Sequence, residues 1–539
     1  TLPNSPTYSQ RPYATANPFV LLVALGSIER LAVCLAKVAM PRIKEYQLHP
    51  TGWENDPERE EIKLCTLDYL TTMTYLNHAL FFEVKEEEKA KVEVILKEGL
   101  ERTLSQTRQM NGYVEPNNVG GYSIIKRKDD TVKFAVQYLD SPEDNFPSYS
   151  TIAKAHFATA VLGDVKVLCN ASHVFGRTPE ARAANRPALG SFKATYIPGG
   201  LIFVIHHHHF TNGIDGLNSL MLQLAENCYA ILNKTKFPSW DPRCMDRTCY
   251  GLPLGFERPS SNSSSSTYKH GAPAEAPSLA HAQSRNRPVH SLIFHLSKSK
   301  GAELKKAASP NDGTWISSFN ALCALTWRVF SRIRQHLYKA DPDTKPLFGA
   351  GVSIQKYFKD TGMPERLQMN MQFDITSASS HLPQLTLAEV ISEAPLSMLA
   401  SYVRRLTESV SLEMLTDKLE KLSHVPIEDL SISVHSFPLM AFYITDWRPA
   451  NLSAMDFGFG GPAAHRHLFT EVQRGQSILY PPQRGPGGAG DDEGVELQIT
   501  FEAELVKQLL EDPEWSKYME FRGVDIWGNE RQKVGRAML

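Results

Sequence analysis

The chain has little cysteine and no pattern to it. Seven residues, Cys34, Cys65, Cys169, Cys228, Cys244, Cys249 and Cys323, are spread over 539. An odd, dilute set excludes a disulfide framework and points to a reducing, cytoplasmic setting. Cys244 and Cys249 form the one close pair, and no second Cys/His pair follows at zinc-finger spacing, so no metal is expected. An excess of charge is also missing: 57 Lys and Arg face 59 Asp and Glu, a net charge of −2. That excludes a globally basic nucleic-acid binder. Long apolar runs are absent too. Pro18–Ile28 is apolar, Glu29 and Arg30 interrupt, and Leu31–Met40 resumes. Neither piece reaches the ~20 residues of a membrane span. No basic stretch precedes them, which argues against a secretory signal, and the region reads as a packed helix. Finally, no GxSxG elbow, Walker A loop or GxGxxG fingerprint occurs, so serine hydrolase, P-loop and dinucleotide-binding readings lose their support.

What remains is ordinary globular composition, 42% apolar and 22% charged, in a chain long enough for more than one core. Arg258–Pro288 contains SSNSSSS and scattered Pro, Ala, His and Gly, with almost no large apolar residue. It cannot bury enough surface to offset its ordering entropy and reads as a flexible crossover. It separates residues 1–257 from 289–539, two expected domains. Each half mixes helix and strand signals, which predicts an α+β architecture. Val92, Ile95, Leu96, Leu100 and Leu104 recur at helical spacing. Leu201–Ile205, introduced by Gly199-Gly200, reads as a buried strand, and Leu217, Leu220, Met221, Leu224, Ala225 and Cys228 as an amphipathic helix. Thr386 and Glu389 fit a capping box. Val495, Leu497, Ile499 and Phe501 alternate with Glu496, Gln498 and Thr500, which predicts a half-buried strand preceded by a Gly-rich hairpin loop over 485–494.

Chemistry concentrates in GGLIFVIHHHHFTNGIDGLNSL, from Gly199. Four histidines, His206–His209, end the predicted strand, and Asp215-Gly216 opens the helix. Strand alternation puts His207 and His209 on one face and His206 and His208 on the other. A neutral imidazole at a strand end is a natural general base, because its pKa lies near operating pH. Taken singly each could be a satisfied half-buried histidine; four together predict a lined cavity. A second segment, ITDWRPANLSAMDFGFGGP from Ile444, holds DFGFG. The other kinase signatures are absent, and glycines flanking aromatics read as a tight structural turn.

An HH…DG segment before mid-chain followed by DFGFG late in the chain resembles the BAHD acyltransferases and their fungal trichothecene O-acetyltransferase-type relatives, within the chloramphenicol acetyltransferase-like group. LKEGLERTLSQTRQMNGYV, FHLSKSKGAELKKAA, WISSFNALCALTWRVF and VELQITFEAELVKQLLED resemble further stretches of that family, so the similarity covers nearly the whole chain. It implies two domains of two-layer α/β type with a substrate tunnel between them, and a monomer. It implies acyl transfer, most simply acetyl transfer, from acyl-CoA to a hydroxyl of a small specialised metabolite such as a terpenoid or polyketide alcohol. Acyl-CoA (acetyl-CoA) would be a co-substrate, with no permanently bound cofactor and neither nucleic acid nor membrane span as partner. The resemblance also admits a condensation-type enzyme with a carrier-tethered donor, or an inactive ligand-binding relative.

Aligned from Gly199-Gly200, His208-His209 fall on the family's HH pair. His209 is thus the first candidate for the base and His208 the second. The family spacing is HHxxxDG, whereas five residues, Phe210–Ile214, separate His209 from Asp215 here. By resemblance Asp215 holds the loop rather than relaying charge. In VSIQKY, where the family often has an arginine that pairs with this Asp, Gln355 and Lys356 occupy the region, which leaves the partner of Asp215 open. The Thr-x-Trp of the family matches Thr445 and Trp447, candidate oxyanion donors, while Asp456, Gly458 and Gly460 would be structural.

Overall fold

The computed structural model describes residues 42–528 apart from 119, 176–178, 248–286, 358–361, 424, 426–437, 471, 473 and 486–487. The apolar N-terminal stretch, Cys249 and nearly all of the expected crossover lie outside the described residues.

Sixteen strands form three sheets among the described residues. The first sheet runs β1 (Arg42–Leu48), β6 (Val132–Tyr138), β7 (Gly190–Ile197), β8 (Gly200–His208), β3 (Tyr75–Glu83), β13 (Ala464–His467). The second runs β11 (Gln372–Thr376), β10 (Phe348–Ser353), β12 (Phe442–Asp446), β14 (Gln476–Tyr480), β15 (Val495–Glu502), β9 (Val289–Leu296), β16 (Glu520–Ile526). A small third sheet joins β2 (Arg59–Lys63), β5 (Tyr122–Arg127) and β4 (Tyr113–Pro116). Both large sheets are mixed: β6–β7, β10–β12 and β12–β14 are parallel and the other pairs antiparallel. The architecture is α+β, as composition and periodicity suggest.

The helix Ile214–Asn233 forms because its apolar residues recur every three or four positions; Leu217, Leu220, Met221, Leu224, Ala225 and Cys228 are all buried. They pack, with the helix Lys89–Gln106, against Leu80, Phe82, Leu201, Phe203 and Ile205 of the first sheet. Each large aliphatic side chain buried there contributes about 1.5–3 kcal/mol. The helices pack closely at Gly99, where a Cβ would fall 2.3 Å from Cys228 Sγ, so alanine there would force that thiol to move. The second core gathers around the helix Ser318–Tyr338, with Trp327, Phe330 and Trp515 against β9, β10, β12 and β15.

Two features tie the halves together. Strand β13 belongs to the second half of the chain yet pairs with β3 at the edge of the first sheet, His467 opposite His78. The buried Arg466 on it donates to the Phe157 and His156 carbonyls and, at 2.6 Å, to Glu496 of β15. Strand β15 is also where an expectation fails. It is buried on both faces rather than half-buried: Glu496, Gln498 and Thr500 are enclosed. Arg466 and Arg522 bond Glu496, and Gln498 donates to Ser291 and Asp525. A polar face thus points into the protein because its partners are there to satisfy it. The five described cysteines are free and buried.

Candidate active site at the end of strand β8

Strand β8 and the turn that follows it deliver four consecutive imidazoles to the junction of the two sheets, and their hydrogen bonds separate them. His206 Nε2 accepts from the Asn170 N–H at 3.1 Å and Nδ1 lies 3.3 Å from the Ser191 carbonyl. His208 Nδ1 accepts from the Phe210 N–H, which leaves Nε2–H to donate to the Ala181 carbonyl at 2.7 Å. Both ring nitrogens of these two residues are engaged by backbone. His207 is the opposite case. It is fully buried, neither nitrogen has a hydrogen-bond partner, and the Asn212 carbonyl faces the ring outside hydrogen-bond geometry.

His209 stands one residue past the strand and is half-buried. Its N–H still donates to the Thr74 carbonyl at 3.0 Å. Its Nδ1 is 3.1 Å from Thr72 Oγ1. When Nδ1–H donates there, Nε2 carries the lone pair and is the nitrogen left for a substrate. Burial, with the neighbouring His208 second, pulls His209 down to about 4. His208 is held at about 4 and His207 at about 3, again chiefly by burial. All three are therefore neutral at physiological pH, the state a proton acceptor needs.

Strand periodicity foretold His207 and His209 on one face, but not what they meet. His78 of β3 stacks on His207 with ring centres 5.2 Å apart and planes 8° from parallel. Its Nδ1 is 2.9 Å from His465 Nε2 of β13. His467 accepts from the Asn77 N–H. Burial pushes His78 and His467 well below the ordinary histidine range and His465 to about 3. These imidazoles were not singled out from sequence. The signal was present: HRH over 465–467 puts two histidines on one strand face, and His78 interrupts an apolar strand. Although the rings converge, no group of three or more metal-ligating side chains among the described residues is placed to hold a metal ion.

Trp447 packs into the same cluster, its ring 5.1 Å from His78 and 5.5 Å from His465. Thr445, two residues earlier, donates its hydroxyl to Gln372 Oε1 across a long 3.4 Å. Asp215 lies in the first turn of the helix after the histidine loop, and Ser353 Oγ of β10 donates to it at 2.8 Å. Gln355 and Lys356 do not take that place: Gln355 donates to the Glu365 carbonyl and Lys356 lies over the Tyr357 ring. Burial raises the Asp215 carboxyl above the usual carboxylate range, partly offset by Ser353. Among the described residues no hydrogen bond or ion pair joins Asp215 to His208 or His209. Asp215, Ile214, Ser353, Gln372, Lys356 and Arg404 instead line an open cavity of about 250 Å³.

The DFGFG turn is remote. Asp456 Oδ1 accepts from the Gly458 N–H at 2.8 Å, a local turn bond. Gly458 and Gly460 have φ of +86° and +125°, and a Cβ on Gly458 would sit 3.1 Å from Tyr229 Cα. Phe457 and Phe459 pack on Phe82. Tyr229 is fourteen residues beyond Asp215 on the same helix, about 21 Å at 1.5 Å per residue.

The profile of the Transferase family matches residues 53–515. The chain belongs to that family, the BAHD acyltransferases. It is 42% identical over 493 residues to Acetyltransferase FGR3 of Gibberella zeae, covering 90% of this chain and 95% of that one. It is 24% identical over 482 residues to Acyltransferase easC of Emericella nidulans, covering 86% and 95%. Among solved structures, F. graminearum TRI101 complexed with coenzyme A and deoxynivalenol superimposes with a TM-score of 0.68 at 18% identity, over 86% of this chain and all of that one. Vinorine synthase follows with 0.58 at 14% identity, over 88% and 97%. These structures establish the fold, and the family and its named relatives make this BAHD member an acyltransferase. No helix among its described residues is long and apolar enough to cross a membrane.

Proposed function

We propose that the protein moves an acyl group, most simply acetyl, from acyl-CoA to a hydroxyl of a fungal specialised metabolite, with His209 as the general base. One observation carries the choice of base: of the two imidazoles placed there by the motif alignment, His208 has both nitrogens engaged by backbone, whereas His209 keeps Nε2 and is half-buried. In this reading Nε2 takes the acceptor's hydroxyl proton as the oxygen bonds to the thioester carbonyl carbon. The tetrahedral oxyanion then re-forms the carbonyl, the C–S bond breaks, and the leaving thiolate takes the proton back from the imidazolium. Thr445 and Trp447 are the proposed oxyanion donors. Asp215, held by Ser353, would fix the start of the helix rather than the imidazole. The choice of CoA draws on the relatives: structural neighbours are complexes with coenzyme A, and the sequence relatives are named acetyl- and acyltransferases.

The test is incubation of the full chain with acetyl-CoA and longer acyl-CoAs against terpenoid and polyketide alcohols, read by mass spectrometry. Mass gain on an alcohol matching the acyl group, lost in His209→Ala, supports the reading. Turnover only with a carrier-tethered donor, or ligand binding without transfer, would overturn it.

A further inference from the structure

Arg247 is the last described residue before position 248, and it is buried to 3% exposure. Nothing in its sequence context marks it, yet its guanidinium joins three parts of the molecule. Nη1 pairs with Asp68, itself fully buried. Nη2 is 2.6 Å from the Thr211 carbonyl in the histidine loop, 3.0 Å from the Gln368 carbonyl ahead of β11, and 3.1 Å from Gln109 Oε1. Gln109 also donates to the Gln368 carbonyl at 2.9 Å. A planar fork with several fixed donors suits such a junction; a lysine ammonium does not.

The other half of the junction reaches the same loop from the opposite side. Asp68 Oδ2 accepts from the Cys65 N–H at 2.9 Å, and the Asp68 carbonyl accepts from Thr71 Oγ1 at 2.8 Å. Thr71 Oγ1 is also 3.4 Å from the His209 carbonyl, and Thr72 Oγ1 contacts His209 Nδ1. The loop on one side of His209 and the threonines on the other thus hang on one buried ion pair. An enclosed ion pair is a poor source of stability, because desolvation offsets most of the attraction. It does specify geometry. We infer that Arg247, through Asp68, is a positioning residue for acyl transfer: it clamps the His209 loop and the Thr71-Thr72 turn together and sets them against the second sheet.

The proposal rests on His209 as the base of the acyl-transfer reading. The titratable groups acting on that ring are His207 and His208 of β8, His78 of β3 and His467 of β13, all neutral imidazoles. Loosening the clamp admits water to His209 and reduces the burial that holds it at about 4.

The full chain, with acetyl-CoA and the alcohol the wild type accepts, is assayed as Arg247→Gln, Arg247→Lys, Thr72→Val and the double variant Arg247→Gln/Thr72→Val. Arg247→Gln should lower kcat by about 10–100-fold, the scale of a small misplacement of a reacting group. KM for acetyl-CoA should stay within about threefold, since ground-state binding is not its task. The acid limb of kcat/KM should move upward from near pH 4 toward about 6.5, the ordinary histidine value. Arg247→Lys keeps a charge opposite Asp68 and should fall between wild type and Arg247→Gln. The double variant should lose no more than about threefold beyond Arg247→Gln, because both changes act through one imidazole. Per folded molecule, an unchanged kcat with an unmoved acid limb, or losses that multiply in the double variant, overturns the clamp. If Arg247→Gln does not fold, Arg247→Lys is judged by the same criteria, with kcat and limb both moved or the clamp rejected. Hydrogen exchange of peptide 206–213 keeps the two readings apart. Faster exchange in the Arg247 variant beside an inactive wild type sustains the clamp and sinks acyl transfer; unaltered exchange beside an active wild type sinks the clamp alone.

Discussion

The two faces of β8 carry the same side chain and leave it in different states. On one face, backbone groups engage both nitrogens of His206 and of His208. On the other, His207 has no hydrogen-bond partner and His209 uses only Nδ1, on a threonine hydroxyl. Burial neutralises all four, so charge does not distinguish them. The contrast lies in hydrogen-bond capacity. An imidazole with both nitrogens held by carbonyls and N–H groups is a structural tie; one with a nitrogen left over can move a proton. Within the second face, exposure separates His209 from the enclosed His207.

The strongest way to break this comparison is to remove the free nitrogen. His209→Ala is expected to lower kcat by about 10²–10⁴-fold, the usual range for a general base, while acetyl-CoA binding measured by calorimetry stays near wild type. Loss of binding in step with kcat would mean the ring holds substrate rather than a proton.

Acid comes next. His78, His173, His206, His207, His208, His209, His465 and His467 are all lowered in the folded state, mainly by burial. The unfolded chain protonates them below about pH 6.5, so it binds more protons than the native state from there down to about 4. Stability therefore rises with pH across that window and falls on acidification, by up to about 1.4 kcal/mol per pH unit for each histidine. Denaturant titrations at pH 7, 6 and 5 should show the midpoint falling steeply. A midpoint flat from 7 to 5 would mean the imidazoles are hydrated.

His208→Ala sharpens the contrast from the other side. It removes a buried donor to the Ala181 carbonyl and an acceptor for the Phe210 N–H, so about 1–3 kcal/mol of stability should be lost, with kcat per folded molecule within a few-fold of wild type. The smallest effect is expected at the remote turn. Asp456→Asn keeps one acceptor oxygen for the Gly458 N–H and should cost about 1 kcal/mol or less. Residual activity should follow the folded fraction measured by melting.

How much of this was legible in the sequence depended on whether the cause was local. The apolar run Leu201–Ile205 and the three-and-four spacing from Leu217 to Cys228 act within one element, and both became the elements they predicted. The histidines at the end of β8 were legible for the same reason. The partners were not, because they come from far along the chain: Thr72 sits 137 residues before His209, His465 is 387 after His78, and Arg247 meets Asp68 across 179. Strand β15 shows the limit of periodicity. Alternation located it correctly, but nothing in alternation says that Arg466 and Arg522 wait to cover its polar face. Ser353 as the partner of Asp215 is likewise a contact between a helix of the first half and a strand of the second sheet, invisible in VSIQKY alone.

The central claim, that a leftover ring nitrogen rather than the histidine run itself carries the chemistry, is tested most directly by one ratio. The kcat of His208→Ala is divided by that of His209→Ala, each per folded molecule, in single-turnover acyl transfer from acetyl-CoA to the accepted alcohol. The account predicts a ratio of about 10² or more. A ratio at or below one would place the base on the backbone-tied face of β8 and contradict it.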